Sequence, residues 1–184
     1  MTFDAKEYLR QFDPFRDEHG WVREPPEEYA LRMRGGLLQN WPEEVLIEWL
    51  HRHNAESDCY AFLGFENFRF RHERWCLGDV PDRVAFRDPS FCDNFEDVER
   101  RSQTLQGDWL AHFMIGAGTW NTSPVFLDNR SQRILFPSGE PLKTPYHLLE
   151  GHRRLSFLNG LRKNGKANTH HDVWVVDLVA RGEK

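Results

Sequence analysis

The pattern of hydrophobic and polar positions changes along the chain from helical spacing to strand spacing. The clearest helical period covers residues 43–53, where one face collects Val45, Leu46, Trp49, Leu50 and His53. Asn40 is the predicted N-cap of this helix, with Pro42 in the first turn. Acidic residues lie on the opposite face and near the start, where the helix dipole favours them. The pattern therefore predicts an amphipathic helix in the first part of the chain.

The segments that follow predict a mixture of helices and strands. Residues 59–71 fit either type, because Phe62, Phe65 and Phe68 recur at helical spacing while Phe68 and Phe70 alternate with arginines. Residues 77–92 contain Pro, Gly and Asp and predict an irregular connection in which Phe86 and Phe91 pack. Residues 93–114 predict one or two helices that end at Gly116 and Gly118. A short strand is expected at residues 134–136, between two turns.

Residues 146–158 carry the strongest local signal. A short apolar run ends at Glu150-Gly151, and His152, Arg153 and Arg154 follow before leucines recur at helical spacing. This order predicts a strand, a glycine turn and a helix with basic residues in its first turn. Basic side chains are unfavourable at that end of a helix, and a bound anion would remove the conflict. The segment therefore suggests a phosphate site, in which one of the two arginines is structural because successive helix positions point about 100° apart.

The same segment resembles a known signature. Glu150-Gly151-His152-Arg153-Arg154-Leu155 is similar to the box of the ParB/sulfiredoxin-like fold family, which lies between a strand and a helix. The resemblance covers residues 98–179 and is carried by three further segments: the turn Gly116-Ala117-Gly118-Thr119-Trp120-Asn121, the strand Ser123-Pro124-Val125-Phe126-Leu127, and the closing strand Val173-Trp174-Val175-Val176.

The resemblance implies a nucleotide pocket. Its ligand would be a nucleoside di- or triphosphate with Mg²⁺, whose phosphates lie on Gly151, His152, Arg153 and Arg154. Its base or sugar would lie beside the nucleotide-pocket residues Gly118, Thr119 and Asn121. Glu150 and His152 are the candidate catalytic residues, and phosphoryl transfer or nucleotide hydrolysis is the implied chemistry.

Two departures from the family pattern narrow this expectation. Sulfiredoxins need a cysteine in the box, but His152 stands there, and the three cysteines of the chain, Cys59, Cys76 and Cys92, lie upstream. Partition proteins carry a DNA-binding domain beyond the box, whereas this sequence ends soon after the closing strand. Neither sulfinic acid reduction nor chromosome partition is therefore expected.

Charge and composition restrict the class of partner. The net charge is −5, and residues 1–30 are acidic while residues 145–167 are basic. A local basic patch on an acidic chain suits a small anion better than duplex DNA. No signal peptide and no apolar run long enough to span a membrane are present, and the odd number of cysteines suggests reduced thiols. The expected location is cytoplasmic.

Other polar residues have a structural and a functional interpretation. His147, His152 and one of His170 and His171 would suit a zinc site, but solvated loop histidines are expected, and we predict no metal ligands. Asp128, Asp172 and Asp177 would suit Mg²⁺, although carboxylates at strand ends usually stabilise turns. Arginines interleave with aromatic rings in a pattern that suits single-stranded nucleic acid, although a half-buried strand explains it as well: Phe68, Arg69, Phe70, Arg71 and Arg74.

Together these signals predict an α+β protein in two parts. Residues 1–92 would form a mainly helical, aromatic-rich part, and residues 93–184 a ParB/sulfiredoxin-like domain with a small mixed sheet. The favoured function is nucleotide binding. One alternative is a non-catalytic protein-binding module, such as an antitoxin, immunity or regulatory protein, with its partner on the N-terminal part. A third is a ParB-like nuclease, which would need carboxylates clustered near the box.

Overall fold

The computed structural model describes residues 4–81, 95–103, 108–130 and 134–179 of the 184-residue chain. Its helices are α1 (Ala5–Leu9), α2 (Pro26–Arg34), α3 (Glu43–Val45), α4 (Phe95–Gln103), α5 (Trp109–Ala117) and α6 (His152–Lys163). Its strands are β1 (Phe68–Cys76), β2 (Val125–Asp128), β3 (Tyr146–Glu150) and β4 (His170–Leu178). The strands form a mixed sheet in the order β1-β4-β2-β3, which confirms the predicted α+β class.

The chain divides into two compact units made of discontinuous stretches. The first unit comprises Met1–Phe70, Asp128–Pro145 and Val176–Lys184, and the second unit comprises Arg71–Leu127 and Tyr146–Val175. The predicted boundary at residue 92 and the predicted packing of Phe86 and Phe91 fall outside the described residues, so they stay predictions. No described helix is both long enough and apolar enough to cross a membrane.

Aromatic packing forms the core of the first unit. The Trp41 ring stacks on Phe68 with centroids 5.5 Å apart, and it lies 4.9 Å from Phe70. Its indole nitrogen donates to the Phe65 carbonyl at 3.1 Å, which satisfies the one polar atom that burial removes from water. Trp49 packs on the same group, 5.6 Å from Trp41. These rings fix the end of the helical region against the start of β1.

The predicted helix near residue 45 is present, but its start and end differ from the prediction. It begins at Glu43 behind Pro42, whose extended backbone ends the preceding turn, so the expected Asn40 cap is wrong. A wider π-helical segment continues it over Leu46–His51. Four members of the predicted face are buried, namely Val45, Leu46, Trp49 and Leu50. His53 is exposed instead, because the π segment changes the register of the residues after it.

Residues 59–71 contain both of the elements that their pattern suggested. A 3-10 helix covers Asn54–Leu63 and a second covers Phe65–Asn67, after which the backbone becomes β1. The short strand expected at residues 134–136 is only a bridge between Leu135 and Pro141. Three apolar residues are too short a pattern to predict how far strand pairing extends.

The second unit packs helices on the sheet. Of the one or two helices expected in residues 93–114, the structure has two, α4 and α5, and α5 is capped by Asp108 at its start and by Gly118 at its end. The predicted order of strand, glycine and helix is present as β3, Gly151 and α6. Apolar residues from these elements share one core: Val98, Met114, Phe126, Leu155, Phe157, Leu158, Val173 and Val175. This core supports the two polar segments described next.

Candidate functional site

Glycine is required where β3 passes into α6. Gly151 is the N-cap of α6 and has φ 101°, a left-handed conformation that costs side-chain-bearing residues energy. A Cβ added there would lie 2.6 Å from the Pro124 Cβ. The glycine therefore gives a tight turn and also lets the start of α6 approach the segment before β2.

Arg154 is a structural residue of this turn. Its residue surface is only 6 % exposed, and its guanidinium donates to the Glu150 carboxylate and to the Thr122 hydroxyl. The ion pair joins the last residue of β3 to the first turn of α6. This agrees with the expectation that one of the two arginines is structural, and it engages Glu150, the carboxylate predicted as a catalytic base.

Arg153 lies next to Arg154 but is in a different environment. Its side chain is 47 % exposed, and its guanidinium donates to the Asp108 carboxylate. Asp108 also caps α5 by accepting from the Ala111 amide at 3.4 Å. Carboxylates of the protein itself thus offset the positive charge in the first turn of α6. The sequence had suggested a bound anion for this role. The positive residues alone are therefore not evidence for a ligand.

The 118–123 turn lies after α5 and is fixed by Asn168. The Asn168 backbone amide donates to the Gly118 carbonyl, and the Asn168 side-chain amide donates to the Ala117 carbonyl, each at 2.9 Å. Gly118 has φ 67°, and a Cβ at this position would lie 2.6 Å from the Asn168 side-chain oxygen. Gly118, the glycine predicted to end α5, is therefore also the residue that contacts the loop before β4.

A buried histidine completes the support of this turn. His171 donates from Nε2 to the Asn168 carbonyl at 2.9 Å, so its Nδ1 accepts from the Thr119 hydroxyl at 2.8 Å. Only 1 % of its surface is exposed. Burial lowers the pKa of His171, because the charged ring would lose its hydration. The neutral imidazole is therefore the form that holds the turn.

A polar cavity of about 210 Å³, here called the turn cavity, lies beside the 118–123 turn. Its lining includes a mixture of charged, amide and hydroxyl side chains: Arg74, Thr119, Asn121, Ser123, His170 and Asp172. Two of the three residues predicted for the nucleotide pocket, Thr119 and Asn121, line it. Neither Gly118 nor the box residues Gly151, His152, Arg153 and Arg154 do.

Arg74 and Asp172 were not selected from the sequence as a pair. The Leu77 amide donates to the Thr169 carbonyl at 2.8 Å, which sets an antiparallel register between β1 and β4. In this register Arg74 lies directly opposite Asp172. Within the described part of the chain, neither side chain forms an ion pair or a side-chain hydrogen bond. No local sequence signal identifies such a pair, because it depends on which strands meet.

The residues considered as alternatives for a metal site do not cluster in the described part of the chain. Across residues 4–81, 95–103, 108–130 and 134–179, no group of three or more His, Cys, Asp or Glu side chains could hold a metal ion. Asp128 instead accepts from the Arg130 guanidinium at 3.0 Å. Phe68 and Phe70 pack on Trp41, which favours the half-buried strand over a stacking surface for single-stranded nucleic acid.

Comparison with known proteins adds no identification. No protein-family model, curated protein or solved structure matches the chain. The similarity of residues 98–179 to the ParB/sulfiredoxin-like family therefore rests on the sequence motifs. Its functional implications enter the following subsection as a proposal.

Proposed function

We propose that the second unit binds a nucleoside di- or triphosphate, with its phosphates at the start of α6 and its sugar or base in the turn cavity. The observation that carries this proposal is the hydrogen bond from Arg154 to Thr122. It joins the start of α6 to the turn whose Thr119 and Asn121 line the turn cavity. The two segments that the family resemblance assigns to one pocket are thus direct neighbours.

The size of the turn cavity determines how much of a nucleotide it would hold. Pockets for whole small molecules usually measure about 300–1,000 Å³. The turn cavity, at about 210 Å³, is smaller and therefore suits only a sugar or a base. Its amide and hydroxyl groups offer both donors and acceptors to such a group. The phosphates would remain outside it, near the basic residues of α6.

Arg153 is the arginine that would bind phosphate in this arrangement. Its pairing with Asp108 is partly exposed, and exposed ion pairs contribute about 1 kcal/mol or less. A phosphate that accepts two hydrogen bonds from one guanidinium is a stronger partner. Asp108 would keep its Ala111 contact as the cap of α5 after the exchange. Arg154 is assigned no such role, because it is buried and holds Glu150.

The test is thermal unfolding of the full chain against ATP, ADP, CTP and GTP, each with and without Mg²⁺. A ligand at about a hundredfold excess over its dissociation constant adds about 2.7 kcal/mol of stability. That stabilisation corresponds to a rise in midpoint of roughly 5–10 °C for a chain of this length. We expect one of these nucleotides to give this rise, and Arg153→Ala to abolish it.

The matched control is Lys163→Ala, which removes one positive charge from the other end of α6. This variant should keep the nucleotide-dependent rise. An equal loss in both variants would indicate non-specific charge attraction, and no rise with any nucleotide would overturn the proposal. Phosphate release from the bound nucleotide then reports turnover, which His152→Ala should abolish if His152 acts in catalysis.

A second candidate, the protein-binding module, is favoured by exposed apolar residues in the first unit. Trp21 is 70 % exposed and Leu31 is 75 % exposed, and Phe15 is exposed as well. Large exposed apolar side chains are common in protein interfaces. A stable partner that copurifies with the tagged chain and is lost in Trp21→Ala would support this function. Retention of the partner in Trp21→Ala would assign binding to another surface.

A further inference from the structure

Cys76 and His170 form a thiol–imidazole pair across the β1–β4 ladder. The Cys76 Sγ lies 3.6 Å from the His170 Nε2, although the residues are 94 positions apart in sequence. The Leu77–Thr169 hydrogen bond sets the register that places them opposite each other. Both side chains are exposed, and Cys76 is not in a disulfide. A thiol and a base within contact distance are the first requirement for an activated sulfur nucleophile.

Thr169 supplies the third group of this arrangement. Its Oγ1 lies 3.0 Å from the His170 Nδ1. When the imidazole hydrogen is on Nδ1, the hydroxyl accepts it and Nε2 presents its lone pair to the thiol. A nucleophile, a base and a group that orients the base is the arrangement from which enzymes build reactive cysteines and serines.

Charged residues beside the pair indicate the kind of molecule it would meet. His170 lines the turn cavity together with Arg74 and Asp172. Arg74 precedes Cys76 by two residues on β1, so the two side chains leave the strand on the same face. Within the described residues the Arg74 guanidinium has no ion pair or hydrogen bond, so it is available to a carboxylate. Asp172 opposes this preference, since it brings a negative charge to the same cavity.

We propose that Cys76 is a nucleophilic thiol, that His170 accepts its proton, and that Arg74 holds the carboxylate of a small electrophile. The sulfur forms a bond to the electrophilic carbon, and the leaving group departs with the electron pair of the bond that breaks. The thiol proton passes to the His170 Nε2 and then to water. The site uses none of the residues assigned to nucleotide phosphates, but Arg74 and His170 line the turn cavity proposed for the sugar or base, so the two ligands would compete there. The alkylation test below reports on Cys76 alone, so its outcome does not depend on whether a nucleotide binds.

The test is alkylation of the full chain with iodoacetate and with iodoacetamide, followed by mass spectrometry of the cysteine peptides. In both reactions a sulfur–carbon bond forms and iodide leaves. Cys59, the other exposed thiol among the described residues, is an internal reference for reagent and pH. We expect His170→Ala to reduce the rate at Cys76 at least about tenfold relative to Cys59. The control His112→Ala removes an exposed histidine of α5 and should change neither rate.

Thr169 and Arg74 have separate readouts in the same experiment. Thr169→Val should slow the reaction at Cys76, because it removes the hydroxyl that orients the His170 ring. Thr169→Ser keeps the hydroxyl and should keep the wild-type rate. Arg74→Ala should lower the ratio of iodoacetate to iodoacetamide rates at Cys76, whereas Asp172→Asn should raise it. Since these side chains are exposed, the variants should unfold within about 0.5 kcal/mol of the wild type.

Two results would overturn the inference. A Cys76 rate that equals the Cys59 rate and is insensitive to His170→Ala would exclude an activated thiol. A rate ratio that Arg74→Ala leaves unchanged would exclude the carboxylate site, even if the thiol itself is reactive.

Discussion

Two groups of charged side chains, one in each unit of this protein, serve different purposes. In the first unit the carboxylate of Glu24 is 4 % exposed and fully engaged: it accepts two hydrogen bonds from Arg32, at 2.8 and 2.7 Å, and one from the Phe15 amide. In the second unit Arg74 and Asp172 line the turn cavity, and no described residue pairs with either of them. Glu24 thus uses its charge for folding, whereas Arg74 and Asp172 keep theirs unpaired among the described residues.

The difference has a physical meaning. The hydrogen bonds from Arg32 lower the pKa of Glu24, so that carboxylate stabilises the folded state near neutral pH and would lose this effect on acidification. The Glu24 carboxylate is buried and fully hydrogen-bonded, so exchanging Arg32 for another partner would cost stability. Exposed charges without partners are already hydrated and can exchange water for a ligand. Unpaired charges beside a cavity are therefore the better guide to function.

The largest expected effect is in the aromatic core of the first unit. Trp41→Ala removes the ring that stacks on Phe68 and the donor that satisfies the Phe65 carbonyl. Large-to-small substitutions of buried aromatic residues cost about 3–5 kcal/mol. We expect the unfolding free energy, measured with urea, to fall by about 4 kcal/mol. The matched control is Trp21→Ala, an exposed tryptophan whose loss should cost about 0.5 kcal/mol or less.

A second substitution tests whether Arg153 and Arg154 really differ. Arg154→Ala would break the ion pair between Arg154 and the part-buried Glu150 and remove the donor to the Thr122 hydroxyl. Breaking one side of a buried pair costs about 3–5 kcal/mol, so we expect a loss of about 3 kcal/mol in urea unfolding. Arg153→Ala should cost about 1 kcal/mol or less, since that pair is partly exposed. Equal losses would refute the division of roles between the two arginines.

The fold was predictable wherever the signal was local. The order of strand, glycine and helix around Gly151 followed from one apolar run, one glycine and one helical repeat. Gly118 marked the end of α5 for the same reason. The Asn40 cap and the exposure of His53 were mispredicted, because the start behind Pro42 and the π segment over Leu46–His51 depend on packing. A helical repeat assumes regular geometry and cannot show where that geometry changes.

The candidate site was predictable only in part, because most of it depends on contacts between distant residues. The sequence indicated Thr119 and Asn121, which line the turn cavity. It gave no indication that Asp108 would pair with Arg153, because these residues are 45 positions apart. The pairing of β1 with β4 was equally hidden, and it alone brings Cys76 to His170. Strand register needs the partner strand, which no single segment contains.

The smallest expected effect concerns the pH dependence of the turn that His171 supports. Burial lowers the pKa of His171 below its ordinary value of 6.5. As the pH falls below about 6.5, the unfolded chain takes up a proton at this residue before the folded chain does, so folding loses stability.

His171→Gln has no titrating group and loses about 1 kcal/mol for each hydrogen bond that Gln cannot replace. The stability difference between wild type and variant should therefore be largest near pH 7.5 and shrink towards about pH 5 in urea unfolding. A difference that stays constant over this range would mean that the neutral ring does not hold the 118–123 turn.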